Sequence, residues 1–579
     1  MGAERVSLKE KFHIGRRIAG RAGRFARRTV TAPLAALASL RANVPERLLI
    51  APQDLRTTDA TIASEIYSGY FALAGKVVNL RGVSPFDAVA PSANWARALA
   101  SFGWLRHLRA ADTALARANA RALVSDFLNR SEKPDHSSAW EARVAVRRTL
   151  SFLSQSPIIL ENADRAFYRR FMRALMRLQY FLERQVATGR IEGEERLFAA
   201  ISLAELGLCA QVSASVQRRS TRLLAAELAR QIRPDGGHIS RAADTLVRLL
   251  LDLLPLRQAY AARAVPAPPE LLNAIDRMLP MLRLLLHGDG ALALFNGMGV
   301  TPVDALATVL AYEDPRAKPL INAPYSGYQR VESGDSVLIV DSGGPPPPEF
   351  STRAHAGTLS FEFSVGPQRL IVNCGAPDSE LVAARGAART TAAHSTLVLD
   401  DTSSCRFARN EGWEKWLGDE IISGPREVHV ERQIQPGKTR LVLSHDGYKT
   451  RFGFIHERLL TISADGLRLD GEDRLKSVSK KSKTYPFAIR FHIHPSIQVY
   501  GVLEGQAALL DLPDGTRWIF SAQDEPIEIE ESIFFAVPDG SRASQQLVIY
   551  RAADEALSVA WSLRAFMAKE EEEALEDVD

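Results

Sequence analysis

The hydrophobic period of this chain changes once along its length, and this change constrains the fold more than any other feature. From about Val89 to Tyr312, apolar residues recur at i, i+3 and i+4, as they do in amphipathic helices. After about Ala323 they alternate with a period of two between Gly, Pro, Asp and Asn residues, as they do in β-strands. The pattern predicts an all-α half followed by an all-β half, the second being an antiparallel β-sandwich.

The helical half is predicted to contain long antiparallel helices joined by short turns. Its predicted helices are Trp95–Ala111, Thr113–Asn129, Ala139–Ser154, Ala163–Val186, Glu194–Ala210, Val212–Ile232, Asp244–Tyr260, Pro269–His287 and Val303–Tyr312. Helices of this length with short turns form a bundle, a solenoid or an α/α toroid. A simple solenoid is disfavoured because the sequence contains no strict internal repeat.

Length, composition and charge divide the chain further. At 579 residues it exceeds one ordinary domain, and 46% hydrophobic and 24% charged residues are typical of a soluble globular protein. We predict a basic N-terminal extension over residues 1–45, a helical domain over 46–320, a sandwich over 325–565 and an acidic tail over 566–579. The extension is assigned from its charge, since Met1–Arg41 holds ten Lys or Arg residues against two Glu.

Several classes of protein are disfavoured by the sequence. It has no apolar run of 18 residues, so no transmembrane segment is predicted. No secretory h-region is visible near its start, which leaves a cytoplasmic location open. Basic residues are scattered without interleaved aromatic residues, so no nucleic-acid partner is expected. Nucleotide and redox cofactors have no support, because GxGxxG, Walker A and CxxC patterns do not occur.

Polar side chains at the ends of predicted elements mark a candidate site. His355 follows a loop rich in Gly and Pro, and Asn373 and His394 follow at intervals of about 20 residues. Strand edges hold such groups on rigid elements, which suits a binding or catalytic site. In the first half, His238 follows Asp235-Gly-Gly and is predicted near a helix N-terminus, where the helix dipole favours a neutral imidazole.

Five short motifs follow one another across both halves. They are Pro234–Arg241 (PDGGHISR), His287–Gly299 (HGDGALALFNGMG), Ala354–Ser364 (AHAGTLSFEFS), Ile371–Pro377 (IVNCGAP) and Ala392–Asp400 (AAHSTLVLD). With these motifs the chain resembles the bacterial heparinase II/III-like proteins, a group of polysaccharide lyases. The resemblance implies an incomplete α/α toroid joined to an antiparallel β-sandwich and an acidic polysaccharide bound in a cleft between them. It also implies a location in the cell envelope or periplasm.

The resemblance implies catalytic roles for individual residues. A lyase of this kind removes the C5 proton of a uronate and expels the oxygen at C4, which requires a base and a neutralised carboxylate. His238 is expected to act as base or carboxylate partner, and Arg241 and Arg353 to neutralise the uronate. His355 is expected to complete the catalytic cleft. The loops that carry His238 and His355 should therefore face each other across one groove.

Other residues are expected to contact the sugar. Asn296 offers a donor and an acceptor, Asp289 lies in a glycine-rich turn, and Trp413 presents an aromatic face. Simpler interpretations remain open for most of them. His238 or Ser240 can cap a helix, Asp289 can make an Asx turn, and Trp413 can pack in the ordinary way.

The resemblance also implies a zinc ion held by His355, Asn373 and His394. Two departures from the family pattern weaken this expectation. Arg353 stands where the family has a first histidine, and Asn373 replaces a carboxylate with an amide, a poor zinc ligand. A hydrogen-bonded structural trio is the alternative.

Two main functions remain open, and the oligomeric state is undetermined. The first is a polysaccharide lyase that cleaves a uronate-containing acidic glycan by β-elimination. The second is a non-catalytic glycan-binding protein of envelope polysaccharide metabolism, favoured because no tyrosine can be assigned the family's catalytic role. The tyrosines nearest in sequence are Tyr260, Tyr312, Tyr325 and Tyr328. A weaker third interpretation is a glycoside hydrolase with two facing carboxylates, for which Glu194 and Glu195, or Asp235 and Asp289, are candidates.

Overall fold

The computed structural model describes residue 15 and residues 45–80, 82–130, 134–312, 317–378, 381–408, 414–478, 485–523, 525–538, 540–551 and 558–566. Within this range it confirms the predicted fold class, a helical half followed by an antiparallel β-sandwich. Trp413, nearly all of the predicted basic extension and all but the first residue of the predicted acidic tail lie outside the described residues. In the part of the chain that is described, no helix combines the length and hydropathy needed to span a bilayer.

The helices of the first half form two layers. In chain order they are α1 (Ala60–Tyr67), α2 (Ala93–Ser101), α3 (Leu105–Ala111), α4 (Ala114–Arg130), α5 (Ala142–Ser154), α6 (Ser156–Leu160), α7 (Arg165–Ala187), α8 (Gly193–Cys209), α9 (Ala214–Gln231), α10 (Ala243–Ala262), α11 (Pro269–Leu284) and α12 (Val303–Leu310). A short hairpin of β1 (Tyr70–Leu73) and β2 (Lys76–Asn79) lies between α1 and α2. Helices α5, α8 and α10 pack side by side, and α7, α9 and α11 cover them from outside. This arrangement agrees with a toroid of inner and outer helices.

One predicted helix, Trp95–Ala111, is divided in two. Phe102 follows the end of α2 in the left-handed conformation, with a φ of +58°, and α3 begins only at Leu105. Phe102 is fully buried, and its ring centroid lies 5.0 Å from that of Phe127. This aromatic packing offsets the strain of a backbone conformation that a bulky residue rarely adopts.

The second half is a sandwich of two antiparallel sheets, with β9 and β10 paired separately. Its strands are β3 (Asn322–Ala323), β4 (Tyr328–Ser333), β5 (Ser336–Asp341), β6 (Phe361–Val365), β7 (Gln368–Val372), β8 (Leu397–Leu399), β9 (Arg406–Phe407), β10 (Ile421–Ser423), β11 (Val428–Gln435), β12 (Lys438–His445), β13 (Phe454–Ser463), β14 (Arg468–Ser477), β15 (Phe487–Ile493), β16 (Gln498–Val502), β17 (Ala507–Asp511), β18 (Arg517–Ala522), β19 (Glu528–Val537), β20 (Gly540–Arg551) and β21 (Ser558–Ala565). One sheet has the order β11-β12-β13-β14-β21-β18-β17-β16. The other has the order β19-β20-β15-β7-β6-β5-β4-β3, with β8 paired to β15. Two short helices, α13 (Val382–Ala388) and α14 (Lys449–Phe452), lie between strands.

Strand β5 shows how the sandwich is joined to the helical half. Both of its faces are buried, because alternation sends Val337 and Ile339 to one side and Leu338 and Val340 to the other. The first pair belongs to the apolar cluster of α8 to α11, and the second pair belongs to the core between the two sheets. One sheet therefore packs on both the other sheet and the helices, and the loops at this junction rest on a close-packed base.

Candidate functional site at the junction of the two halves

The loop that carries His238 is docked directly on the sandwich. Asp235 of this loop accepts hydrogen bonds from the turn between β3 and β4, including the backbone N–H of Ser326 at 2.8 Å. A Cβ atom on Gly237 would lie 2.0 Å from Oγ of Ser326, so only glycine allows this close approach. The ring of His238 also meets Phe350, in the loop that leads to the Arg-Ala-His run, at a centroid distance of 5.7 Å. The two loops predicted to face each other are therefore neighbours in the fold.

His238 is a buried imidazole whose two ring nitrogens are both engaged. Its Nε2 lies 3.0 Å from Oε1 of Gln231, and its Nδ1 accepts a hydrogen bond from the backbone N–H of Ser240 at 3.1 Å. Burial lowers the pKa of His238 to about 4, although the charge of Glu194 acts in the opposite direction. No ring nitrogen is left to accept a substrate proton, which argues against the predicted role as base. His238 does not cap α10 either, since that helix begins after Ala242 without a side-chain cap.

Arg241 uses all of its N–H donors inside the protein. Four of them donate to backbone carbonyls of the turns that precede β4 and follow β5, at 2.8 to 3.1 Å. The fifth donates to Oδ1 of Asp341 at 2.5 Å. The guanidinium therefore joins the helical half to the sandwich. It has no donor left for a uronate, which corrects the role predicted from the sequence.

Asn296 and Tyr328 complete this buried network. Nδ2 of Asn296 donates to the hydroxyl of Tyr328 at 2.9 Å and to Asp341 at 3.2 Å. The hydroxyl of Tyr328 donates to the carbonyl of Arg241 at 2.6 Å, and burial raises its pKa above the ordinary value. Oδ1 of Asn296 accepts from the backbone N–H of His355 at 3.4 Å. Asn296 thus holds the His355 loop in place, where the sequence predicted a contact with sugar.

Glu362 anchors a second buried network that the sequence analysis missed. One of its oxygens accepts from the backbone N–H and the side-chain amide of Asn373, at 3.0 and 2.9 Å. The other lies 2.9 Å from Nε2 of His287 on the helical half. The alternation of β6 was the available signal, because phenylalanines fill one face of the strand and leave Glu362 on the face that meets the helices.

His355 and His394 form a directed hydrogen-bond relay. Nδ1 of His394 lies 2.8 Å from the carbonyl oxygen of Thr390, which can only accept, so this nitrogen carries the proton. Nε2 of His394 is then the acceptor for the Nδ1–H of His355, at 3.1 Å. Nε2 of His355 is left with a lone pair and has no hydrogen-bond partner among the described residues. Burial lowers the pKa of His394 to about 4 and holds that of His355 well below its usual value, so both rings are neutral at pH 7.

Arg353 is the solvent-exposed cation close to this histidine pair. Its side chain is 43% exposed, and its Nη1 lies 2.8 Å from Oδ2 of Asp244 in the first turn of α10. Its Nη2 donates to the carbonyl of Gly297 at 3.1 Å. Unlike Arg241, Arg353 reaches solvent and keeps N–H donors for an anion.

A row of charged residues continues from Arg353 along the N-terminal ends of the inner helices. Arg248 of α10 lies 3.5 Å from Asp244 and donates to Oε2 of Glu194 in α8 at 3.0 Å. Burial acts to raise the pKa of Glu194, but the charges of Arg248 and Arg353 outweigh it and lower the value to about 2. Glu194 is therefore a paired carboxylate, which disfavours it as the acid of a hydrolase.

The residues expected to bind zinc do not form a zinc site. Nε2 of His394 is occupied by His355, and Oδ1 of Asn373 accepts from the backbone N–H of Ser395 at 3.0 Å. One free lone pair, on Nε2 of His355, is left by these contacts, whereas zinc requires three or four ligands. Within the described ranges, no three His, Cys, Asp or Glu side chains converge as a metal site. The contacts agree instead with the hydrogen-bonded alternative.

Asp289 and the tyrosines complete the set of predicted residues. Asp289 makes the Asx turn, accepting from the N–H of Ala291 at 2.9 Å, and it also pairs with Arg369 of β7 at 2.9 Å. These contacts describe a structural carboxylate, where the sequence predicted a sugar contact. Among the tyrosines, the hydroxyl of Tyr260 lies 2.8 Å from that of Thr221, far along α10 from the charged row.

Comparisons with known proteins agree with this architecture. The family described as Heparinase II/III-like, C-terminal, matches residues 315–562. The chain is 31% identical over 503 residues to FtsZ-localized protein C of Caulobacter vibrioides, and the match covers 85% of each protein. Heparan sulfate lyase HepC of Pedobacter heparinus superposes with a TM-score of 0.61 at 14% identity, covering 97% of this chain and 91% of that one. A crystal structure of heparinase III gives a TM-score of 0.65 at 11% identity, covering 85% and 80%. The structural matches establish the shared fold.

Proposed function

Because the chain belongs to the heparinase II/III-like family, we propose that it is a polysaccharide lyase that cleaves a uronate-containing acidic glycan by β-elimination. The observation that supports this most directly is the free lone pair on Nε2 of His355. The relay through His394 to Thr390 fixes the proton of His355 on Nδ1 and leaves Nε2 as the acceptor. Removal of the weakly acidic C5 proton of a uronate requires a base of this kind.

In the proposed reaction, Nε2 of His355 takes the C5 proton while the C4–O bond breaks and a C4–C5 double bond forms. The imidazolium then returns the proton to the leaving oxygen, so no separate tyrosine is required. The Nδ1–H of His355 stays bonded to His394, which keeps the ring in orientation. Binding of an anionic uronate beside His355 raises its low pKa and makes it a stronger base.

Arg353 is proposed to neutralise the uronate carboxylate in place of Arg241. Its guanidinium is exposed beside the histidine pair, and its ion pair with Asp244 orients it at the junction. A fixed positive charge stabilises the enediolate that develops as the C5 proton leaves. Arg241, whose N–H donors are all engaged, has a structural role, since it holds the turn before β4 and Asp341.

The test is a comparison of His355→Gln with His429→Gln, in which the second change removes an exposed histidine of β11. Each protein is mixed with a panel of uronate-containing polymers, and the ultraviolet absorbance of the unsaturated uronate product is followed. We expect His429→Gln to keep full activity and His355→Gln to lose about 10²- to 10⁴-fold, as is typical when a general base is removed. An active His355→Gln protein would exclude the proposed base.

A second candidate is a non-catalytic glycan-binding protein of envelope polysaccharide metabolism that localises with FtsZ. Two observations favour it. Arg241, Asn296 and Asn373 are consumed by internal contacts, and the relative with 31% identity is named for its localization with FtsZ. Calorimetric binding of a uronate polymer without any unsaturated product, together with co-localisation of a fluorescent fusion with FtsZ, would favour this candidate over the lyase.

A further inference from the structure

A cavity of about 420 Å³ opens on the helical half, outside the junction described above. Its volume falls within the roughly 300–1,000 Å³ typical of small-molecule sites. It is lined by two stretches, one around the turn that precedes α5 and one at the C-terminal end of α7, and its lining includes Trp140, Tyr180, Arg184, Gln185 and Arg190.

Among the described residues, neither arginine of this cavity has an anionic partner. Within the described residues, the side chains of Arg184 and Arg190 make no hydrogen bond or ion pair, and Nε of Arg184 is buried without an acceptor. An unpaired buried N–H group of a guanidinium is costly, and a carboxylate from outside would satisfy it.

The acidic residues in the lining are already engaged. Glu141 accepts from Nε of Arg97 at 2.9 Å and from Nε of Arg143 at 2.8 Å. Asp135 is exposed at the edge of the cavity and accepts from the backbone N–H of Ser137 at 2.9 Å. Neither carboxylate contacts Arg184 or Arg190 in the described part of the chain, so the two guanidinium groups are available to a ligand.

The remaining lining suits a sugar ring. Trp140 packs edge-on against Phe181, with ring centroids 5.2 Å apart, and forms a rigid wall beside Tyr180. Aromatic side chains offer an apolar face to the C–H groups of a pyranose, and the amide of Gln185 offers a donor and an acceptor to hydroxyl groups. Two arginines beside an aromatic wall and an amide match the chemistry of a sugar that carries a carboxylate.

Charged residues lie at the N-terminal ends of the inner helices, both at the cavity and near the His355 site. Glu141, which lines the cavity, and Arg143 both act on the pKa of Glu195 at the start of α8. The neighbouring Glu194 is bonded to Arg248, which leads to Asp244 and Arg353 as described above. These residues lie at the N-terminal ends of α5, α8 and α10, which places the cavity and Arg353 at the same ends of the inner helices.

We infer that this cavity is a second binding site, which holds a uronate unit of an acidic glycan whose chain extends from the His355 site. The inference rests on the proposed function in taking the ligand to be an acidic polysaccharide. It does not require that the polysaccharide is cleaved.

The test uses the full-length protein and two probes, the hexasaccharides of homogalacturonan and of heparosan, with binding measured by calorimetry. The variant is Arg184→Gln combined with Arg190→Gln. The control is Arg169→Gln, an exposed arginine on the same helix, α7, that is not part of the lining. Because the double variant loses the charge-assisted hydrogen bonds of both guanidinium groups, we expect it to weaken binding about 100-fold and the control to leave binding unchanged. Equal melting temperatures of the three proteins verify that the variants fold.

The outcomes separate this inference from the proposed function. Binding that depends on the two arginines supports the proposed binding site in the cavity, even if no unsaturated product forms. The absence of product would refute only the proposed lyase activity. Equal affinity of wild type and double variant overturns the proposed binding site in the cavity, even if the protein has lyase activity. Failure of the wild-type protein to bind either hexasaccharide overturns it as well.

Discussion

Arg241 of the helical half and Asp341 of the sandwich form a buried ion pair with an Nη2–Oδ1 distance of 2.5 Å, and their side chains are 8% and 2% exposed. Burial and the charge of Asp341 act in opposite directions on the guanidinium, and the net effect raises the pKa of Arg241. Arg241 adopts a left-handed backbone conformation, with a φ of +64°, which a residue other than glycine rarely takes. The strain is offset by the contacts of the guanidinium, which make this pair a main connection between the two halves.

Replacement of Arg241 is expected to destabilise the whole protein. Arg241→Ala leaves the buried carboxylate of Asp341 without its cationic partner and removes four hydrogen bonds to backbone carbonyls. We expect a loss of about 3–5 kcal/mol in the free energy of unfolding. Arg353→Ala is the matched control, because its ion pair with Asp244 is partly exposed to solvent and such pairs contribute about 0–1 kcal/mol. Denaturant unfolding of both variants measures the difference. A loss below 1 kcal/mol for Arg241→Ala would contradict the proposed connection.

Acid is expected to destabilise the protein through its buried histidines. Burial lowers the pKa of His238 to about 4, whereas an unfolded histidine titrates near 6.5. Between these values the unfolded chain binds one more proton than the folded chain, so stability is present above pH 6.5 and is lost as the pH falls towards 4. His238→Gln should reduce this loss by about 1.4 kcal/mol per pH unit. His429→Gln, at an exposed position, should not change the slope.

The measurement for this prediction is the free energy of unfolding at several pH values from 7.5 to 4.5. His394 and His492, whose pKa values burial lowers to about 4 and about 3, contribute with the same sign and remain in the His238→Gln variant. An equal change in stability between pH 6.5 and 4.5 in His238→Gln and wild type would show that the ring of His238 is not held neutral.

The sequence predicted the large features correctly because they depend on periodicity. The change from period 3.6 to period two predicted both halves, and the family motifs marked the two loops that meet at the junction. The motifs could not show whether an N–H donor faces a ligand or another part of the protein. PDGGHISR is compatible with Arg241 facing a sugar or facing backbone carbonyls, and only the packing of the β3–β4 turn against the loop decides between them.

The sequence also could not predict the side-chain networks that join the two halves. Glu362 and His287 are 75 positions apart, and nothing local indicates that they meet. The tautomer of His355 likewise depends on the carbonyl of Thr390. This carbonyl fixes the proton of His394 on Nδ1, and Nε2 of His394 then accepts the Nδ1–H of His355. These relationships are long-range, whereas hydrophobic patterns report on the faces of single elements. The free nitrogen of His355 results from these long-range contacts, and no local pattern in the sequence indicates it.

Glu205 is expected to act on stability in the direction opposite to the histidines. Burial and the nearby charge of Asp252 raise the pKa of this carboxyl to about 8, against about 4.5 when unfolded. The folded chain therefore binds one more proton between these values, and stability falls as the pH rises from 4.5 to 8. Glu205→Gln should remove this loss, which is about 1.4 kcal/mol per pH unit. Unfolding at pH 6 and pH 8 tests it, with the exposed Glu65→Gln as control. Equal pH dependence in Glu205→Gln and wild type would contradict the assignment.

Removal of metal ions is expected to leave the protein unchanged. A zinc ion would need Nε2 of His394, which accepts the Nδ1–H of His355, and Oδ1 of Asn373, which accepts from Ser395. If both hydrogen bonds were broken, the site would offer two histidines and one amide. Zinc requires three or four ligands and prefers His, Cys or carboxylate, so these residues supply too few. We therefore expect dialysis against a chelator to change neither the melting temperature nor the binding of a uronate hexasaccharide, and zinc at equimolar concentration to raise neither. A melting temperature that falls with chelator and recovers with zinc would show that the histidine pair rearranges to hold a metal ion.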